Sequence, residues 1–338
     1  MKPVGWLILS LLLLGLFAAN LFWGSVSVPF GSVVDILSGN GDAVNPTWNF
    51  IVTQSRIPQG VTAMLAGASL AVAGLMLQTA FGNPLAGPSI LGITSGASLG
   101  VAVVMLSAGS VIGGTVAGSL SAVAGAFAGS IVTLGIIILF SSVVRSSVML
   151  LIVGIMVGYV ANSAITLLNF FASAQNVFAY TLWGMGDFSS VTLGELPLFV
   201  SVSAAGLFFS FLLVKPLNAL LLGERYAANL GVNVRRTRVM LLLCTGLLTA
   251  IVTSYCGPVS FLGLAVPHMA RLAIGSSNHN VLLPVTVLMG AATALLCNLL
   301  CSLPWQGGVI PLNAVTPIFG APVIIYVIVN RSKIEYFN

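Results

Sequence analysis

The chain has 338 residues, 58% of them apolar and only 5% charged, with a mean hydropathy of +1.12. Soluble domains carry about 25% charged residues, so 11 Lys and Arg with 6 Asp and Glu cannot clothe a folded chain of this length in water. A soluble, disordered or collagen-like protein is excluded, and a polytopic integral membrane protein remains. The net charge of +5 is a question of where the basic residues sit and implies no nucleic-acid partner.

Barrel strands would alternate apolar and polar residues over segments of about 10 residues. Leu7 to Phe17 and Ile131 to Phe140 are unbroken apolar runs, so the spans are helices, each needing about 20 such residues to cross the hydrocarbon. Met1 to Trp23 holds Lys2 and then an apolar run as long as a full span, with no small-x-small cleavage site. This predicts a first transmembrane helix, near 6–28, rather than a signal peptide. Further spans are predicted near 58–81, 91–107, 114–140, 147–169, 191–214 and 237–255. A short helical segment near 260–270 follows, then spans near 281–301 and 311–330. Segments 24–57, with Asp35, Asp42, Pro46 and Trp48, and 170–190 read as loops outside the membrane.

Gly92, Gly96 and Gly100, Gly125 and Gly129, and Gly154 and Gly158 recur at four-residue spacing. That spacing sets small residues on one helix face and lets backbones approach closely. It predicts a dense bundle and does not mark a pathway. Cys244, Cys256, Cys297 and Cys301 all fall in apolar stretches and pair with no His at metal spacing. They read as packed core thiols, and no metal site is expected.

Cytoplasmic loops are rich in Lys and Arg. With a cytoplasmic N-terminus and the short segment counted as a crossing, ten of the eleven basic residues fall inside: Lys2, Arg145, Lys215, Arg225, Arg235, Arg236, Arg238, Arg271, Arg331 and Lys333. Arg56 falls outside, with Asp35, Asp42 and Asp187. Ten crossings are therefore expected, with both termini cytoplasmic.

None of the acids Asp35, Asp42, Asp187, Glu195, Glu224 and Glu335 falls within a predicted span. Ion-coupled carriers and channels with rings of charge rely on such groups, so the pathway suits a bulky cargo driven by energy from elsewhere. The chain has no GxxxxGK[ST] loop, so nucleotide chemistry would belong to a partner. Lys215 to Arg238 is the longest polar stretch on the cytoplasmic side: a short helix, a break at Gly231 and a basic run. An ordinary positive-inside loop is one reading. The apolar load of Leu220, Leu221, Leu222, Ala227, Ala228 and Leu230 favours the other, a docking element for a cytosolic motor.

At Arg56-Ile57-Pro58 and GASLAVAGLMLQTAFGNPLAGPSILGITSGASLG (67–100) the sequence resembles the opening signature of the iron-chelate and cobalamin permeases, the membrane subunits of type II ABC importers. LLGERYAANLGVNV (221–234) resembles their cytoplasmic coupling segment, and GPVSFLGLAVPHMARLAIGSSNHNVLLP (257–284) and IPLNAVTPIFGAPVII (310–325) their C-terminal signatures. The likeness covers essentially the whole chain, in order. It implies an all-α permease fold of about ten transmembrane helices in one domain, 1–338. It further implies two such subunits (a second copy or a close paralogue) around a central pathway in the lipid bilayer. Two cytosolic ABC ATPase subunits would bind ATP and Mg, and a periplasmic or lipid-anchored binding protein would deliver the cargo. The chain itself would be no enzyme and would bind no cofactor.

Carried over residue by residue, the resemblance places the ATPase-coupling contact on Leu222, Gly223, Glu224, Ala227, Ala228, Leu230 and Gly231, within 215–238. It places a cytoplasmic turn on Asn83 and Pro84, the pathway and its inner gate on Ser146 and Ser147, and a Pro-His-x-x-Arg element on Pro267, His268 and Arg271. For His268 a structural hydrogen bond is expected over a substrate or metal contact, since a lone His cannot make a metal site. Two departures stand out. Family members often carry Arg-x-Pro-Arg where this chain has Arg56-Ile57-Pro58-Gln59, and an Asp-x-x-x-Arg pair where it has Asn298 and Ser302. Two of three outward arginines that would meet acidic groups of the binding protein are missing. Docking is left to Arg56, Gln59 and Ser302 with Gln306, or to loop shape.

The expected function is the permease subunit of an ATP-driven importer for an iron chelate, a ferric siderophore or haem. Cobalamin is the second reading and an oxyanion such as molybdate a distant third. A motor-independent carrier or channel, or a structural scaffold, would leave the missing charges or the coupling motifs unexplained.

Overall fold

The computed structural model describes residues 3–41, 44–107, 116–144, 146–303 and 309–329. Among them every regular element is a helix. With no water to satisfy its N–H and C=O groups, a spanning backbone bonds within its own segment. In chain order the helices are α1 (Pro3–Phe22), α2 (Phe30–Leu37) and α3 (Pro46–Phe50), the last running through a π-helical turn, Ile51–Arg56, into α4 (Ile57–Phe81). Next come α5 (Ile93–Ser107), α6 (Val116–Val143), α7 (Ser147–Phe171), α8 (Ala174–Gly184), α9 (Leu196–Leu212), α10 (Val214–Leu220) and α11 (Glu224–Asn229). The chain continues with α12 (Val234–Cys256), α13 (Leu262–Ile274), α14 (His279–Ser302) and α15 (Leu312–Val329).

Six helices of the described residues are long and apolar enough to cross a membrane, and seven if α9 and α10, which meet at a 53° bend, form one span. Helices α5, α13 and α15 are apolar but shorter. They lie where the sequence predicts its third span, its short segment and its last span, so the count of ten rests on these three. The predicted loops are not plain loops. Segment 24–57 contains α2 and α3, whose Val33 and Ile36 pack with Val52 in a small apolar cluster, and 170–190 contains α8.

Helices α4 and α12 form the centre, with 83% and 78% of their apolar stretch buried, whereas α1, α6 and α7 are mostly uncovered. Glycines set the distances between them. Gly67 of α4 lies on Gly290 of α14, Gly96 and Gly100 of α5 lie on Gly129 and Gly125 of α6, and Gly92 lies on Gly154 of α7. The four-residue glycine spacing is thus helix packing. The closest approach is Gly74 of α4 to the carbonyl oxygen of Gly263 in α13, where any Cβ would overlap that oxygen. Pro267, four residues on, has no N–H with which to hold the Gly263 carbonyl within the helix. Freed from the helix, that carbonyl turns its contact to α4. All four cysteines are buried free thiols, as their apolar settings predict.

The connection from α12 to α13 is irregular and half-buried among its neighbours. Gly257 and Phe261 both have positive φ, 71° and 67°, and Phe261 is the one non-glycine with positive φ among the described residues. Asn313, at the start of α15, supplies the hydrogen bonds that this backbone lacks. Its Oδ1 accepts from Ser260 N at 3.0 Å, and its Nδ2 donates to Pro258 O at 2.5 Å and to Gly184 O at 3.1 Å. Backbone bonds from Asn313 N to Met185 O at 3.1 Å and from Asp187 N to Cys256 O at 2.9 Å complete a clasp around three chain segments.

Candidate functional sites at the two ends of the bundle

At one end the bundle gathers Lys215, Arg225, Arg235, Arg236, Arg238 and Arg271, around the C-terminal end of α4, α10, α11 and the start of α12. Arg56 lies at the opposite end, where it shares a cavity wall with Asp187.

At the Arg56 end the guanidinium caps α1. It donates to Leu21 O at 2.8 Å, to Phe22 O at 3.0 Å and to Val26 O, and the residue is only 5% exposed. A cation at a helix C-terminus satisfies carbonyls that have no partner within the helix and meets the negative end of its dipole. Arg56 was expected to face outward. In this structure it is committed to the end of α1 and offers little surface to another molecule. Gln59 and Asn298, the neutral replacements for charged groups of the motif, are linked to each other. Gln59 Nε2 donates to Asn298 Oδ1 at 3.0 Å, and Asn298 Nδ2 donates to Asn20 Oδ1 at 2.7 Å. Asn20 Nδ2 in turn donates to Leu16 O at 2.8 Å and Leu295 O at 3.0 Å. A ladder of amides therefore joins α4, α14 and α1 where the family pattern has a charge pair. Arg56, Gln59 and Ser302 all line one cavity of about 310 Å³, with Asn20, Asp187 and Asn298. Ser302 is more than two hundred residues from Arg56 and Gln59 in sequence, and the fold brings all three to one wall. Gln306 lies outside the described residues.

At the basic end α4 stops at Gly82, whose φ of 55° only glycine adopts without strain. Asn83 N bonds Gln78 O at 3.0 Å and Gly82 N bonds Thr79 O at 3.2 Å, a Schellman closure followed by Pro84. Asn83 Oδ1 accepts from Leu85 N at 2.9 Å, which fixes the turn. His268 and Arg271, three apart and so on one face of α13, hold α13 to this turn. His268 Nε2 donates to Pro84 O at 2.8 Å, and Arg271 Nη1 donates to Gln78 Oε1 at 2.6 Å. Gln78 Nε2 also donates to Leu264 O at 3.2 Å. Pro267 is buried beside them. Among the described residues no group of three His, Cys, Asp or Glu comes together as a metal site would require.

The segment 215–238 folds as α10, a tight turn at Gly223 with φ 95°, α11, a second turn at Gly231 with φ 85°, and the first residues of α12. Leu222, Gly223, Glu224, Ala228, Leu230 and Gly231 are exposed. Ala227 is the exception: it is fully buried and packs α11 inward. Tyr226, which the motif did not single out, is 67% exposed in α11, and Leu222 and Leu230, which flank that helix, are exposed as well. Glu224 is held within the chain by Arg238, Oε1 to Nη2 at 2.5 Å, and the pair ties α11 to α12.

Ser146 caps the N-terminus of α7, its Oγ accepting from Met149 N at 3.4 Å. Ser147 opens that helix, and its side chain lies outside the described residues, as does Arg145. One side of α7 packs on α5 and α6, and the other presents Val148, Ile152, Met156, Tyr159 and Val160 uncovered.

A dense all-helical bundle with several apolar spans, a glycine-closed core and an apolar element projecting at its basic end is a multi-span membrane permease. The chain belongs to the FecCD transport family, which it matches over residues 11–330. It is 32% identical over 294 residues to the vitamin B12 import system permease protein BtuC of Salmonella paratyphi A, covering 87% of this chain and 88% of that protein. The BtuC proteins of Salmonella typhi and Salmonella newport match to the same extent, 32% over 294 residues. Among solved structures it resembles an inward-facing ABC transporter assigned to the metal-chelate type, with a TM-score of 0.84 and 27% identity over 97% of this chain and 100% of that one. The fold is that of a type II ABC importer permease subunit.

Proposed function

We propose that the chain is the membrane-spanning subunit of an ATP-driven importer of a bulky metal chelate. In this reading two copies, or one copy and a close paralogue, enclose the pathway. Two cytosolic ATPase subunits, which bind ATP and Mg, dock on the exposed face of 222–231, and a binding protein docks at the opposite end. The observation that carries the reading is the projecting α11, with Leu222, Tyr226 and Leu230 bare at the basic end. A lone subunit would gain nothing by exposing such groups to water, whereas a motor with an apolar cleft would cover them. The positive-inside rule assigns that end to the cytoplasm and the Arg56 end to the outside, in an inner membrane. The spans found in the described residues contain no Asp or Glu, which disfavours an ion-coupled carrier.

A ferric siderophore or haem is the first reading for the cargo, from the motif resemblance. Cobalamin, itself a cobalt chelate, is the second, and the BtuC relatives support it. Uptake of radiolabelled cobalamin, haem and a ferric siderophore by a strain deleted for this chain, with and without the gene restored, tests the reading. Restored uptake of one of them is expected. Restored uptake of none, with the protein present in the membrane, would contradict it.

A further inference from the structure

One end of α14 is tied to the helix that precedes the proposed motor-docking element, through residues to which the sequence reading assigns no role. Asn218 lies in α10, four residues before Leu222, and its Oδ1 accepts twice from His279, the first residue of α14: from the backbone N–H at 2.8 Å and from Nδ1 at 3.0 Å. Because a backbone N–H can only donate, the Asn218 atom facing it is the oxygen, and Nδ1 facing the same oxygen must carry the ring proton. Nε2 of the neutral ring is then the acceptor, and Thr79 Oγ1 of α4 lies 2.9 Å from it. Asn218 Nδ2 donates in addition to Asn278 Oδ1 at 3.2 Å, the cap of α14. His279 is fully buried and Thr79 nearly so.

We infer that the Asn218–His279 pair is the joint that carries movement of the motor-docking segment into α14, with Asn218 and His279 acting as positioning residues for transport. This rests on the reading of 222–231 as the motor contact. Leu217 fixes α10 against α4 and α12 by apolar packing, which can slide. The paired hydrogen bonds to His279 are directional and buried, so a displacement of α10 must move the start of α14. α14 then runs the full bundle to Asn298 and Ser302 at the opposite cavity. The pair therefore joins the motor side to a helix that ends at the wall where a binding protein would dock.

The test uses the full complex with its ATPase subunits in proteoliposomes, reading ATPase stimulation by the binding protein, a signal that must cross the permease. Asn218→Ala removes the acceptor of both bonds. His279→Asn places an amide N–H where Nδ1–H stood and keeps it. Asn218→Ala is expected to lower the stimulation about five-fold or more, the lower range of coupling between sites, while the ATPase subunit still copurifies. His279→Asn is expected to stay close to wild type. Undiminished stimulation in Asn218→Ala, or equal defects in both variants, would overturn the inference. If Asn218→Ala does not insert, His279→Gln, which loses the Nδ1 bond alone, takes its place with the same two expectations. Failure of the motor reading is separate: there, no ATPase subunit copurifies even with the wild-type chain.

Discussion

Arg238, in the second turn of α12, reaches back fourteen residues to Glu224 at the start of α11, with Nη2 2.5 Å from Oε1. Arg238 is only 10% exposed and Glu224 44%, so the arginine is an anchor and the glutamate the part that is held. The residue assigned by resemblance to the motor contact thus also holds its own helix in place. Glu224→Arg sets two cations face to face and frees α11, and Ala228→Trp, on its exposed side, adds bulk where a partner would close. The double variant is expected to insert normally but to lose copurifying ATPase and cargo-stimulated hydrolysis. Normal uptake at wild-type expression would reduce 215–238 to a positive-inside loop.

Gly74→Ala places a methyl group on the Gly263 carbonyl, a backbone atom that cannot turn aside. Overpacking of this kind costs about 1–3 kcal/mol or more. Detergent-solubilised Gly74→Ala should denature at lower temperature and yield less folded protein. Gly135→Ala, with no neighbour within 4 Å, should match wild type.

Asn313→Leu removes the side-chain clasp on Ser260, Pro258 and Gly184. Backbone groups left without partners cost up to about 1–3 kcal/mol each when buried, and less where, as here, they are half-buried. A clear drop in thermal stability is expected, with faster hydrogen exchange in 184–187 and 257–261. Wild-type exchange in both segments would show that the clasp contributes nothing.

All four native cysteines are buried, so an impermeant thiol reagent has little background. In intact cells Ser38→Cys should label and Asn229→Cys should not, until the membrane is opened. The reverse pattern would invert the orientation.

The helices were legible because an apolar run is a local property, and the glycine spacings were legible as packing for the same reason. The function of Arg56 was not. Its partners are carbonyls 30 to 35 residues away, and nothing in the sequence tells an arginine that caps α1 from one that faces outward. Motif resemblance found His268, Arg271 and Pro84, but not that His268 holds Pro84 or that Arg271 holds Gln78. Asn313, Asn218 and His279 fall within the quoted segments, but their roles are not legible there because a hydrogen bond across 53 to 129 positions leaves no periodicity. Tyr226 could have been found: it is a large aromatic residue in the same apolar cytoplasmic segment as Leu222 and Leu230.

The central claim is that transport through this chain is driven by a separate motor. Proteoliposomes holding the purified chain, with or without its ATPase subunits and binding protein, give the most direct measurement. Labelled cobalamin and a labelled ferric siderophore are the probes, and ATP or an ion gradient is the energy source. Accumulation of one probe only when the ATPase subunits and ATP are both present is the predicted result. Accumulation by the chain alone under a proton or sodium gradient would contradict it.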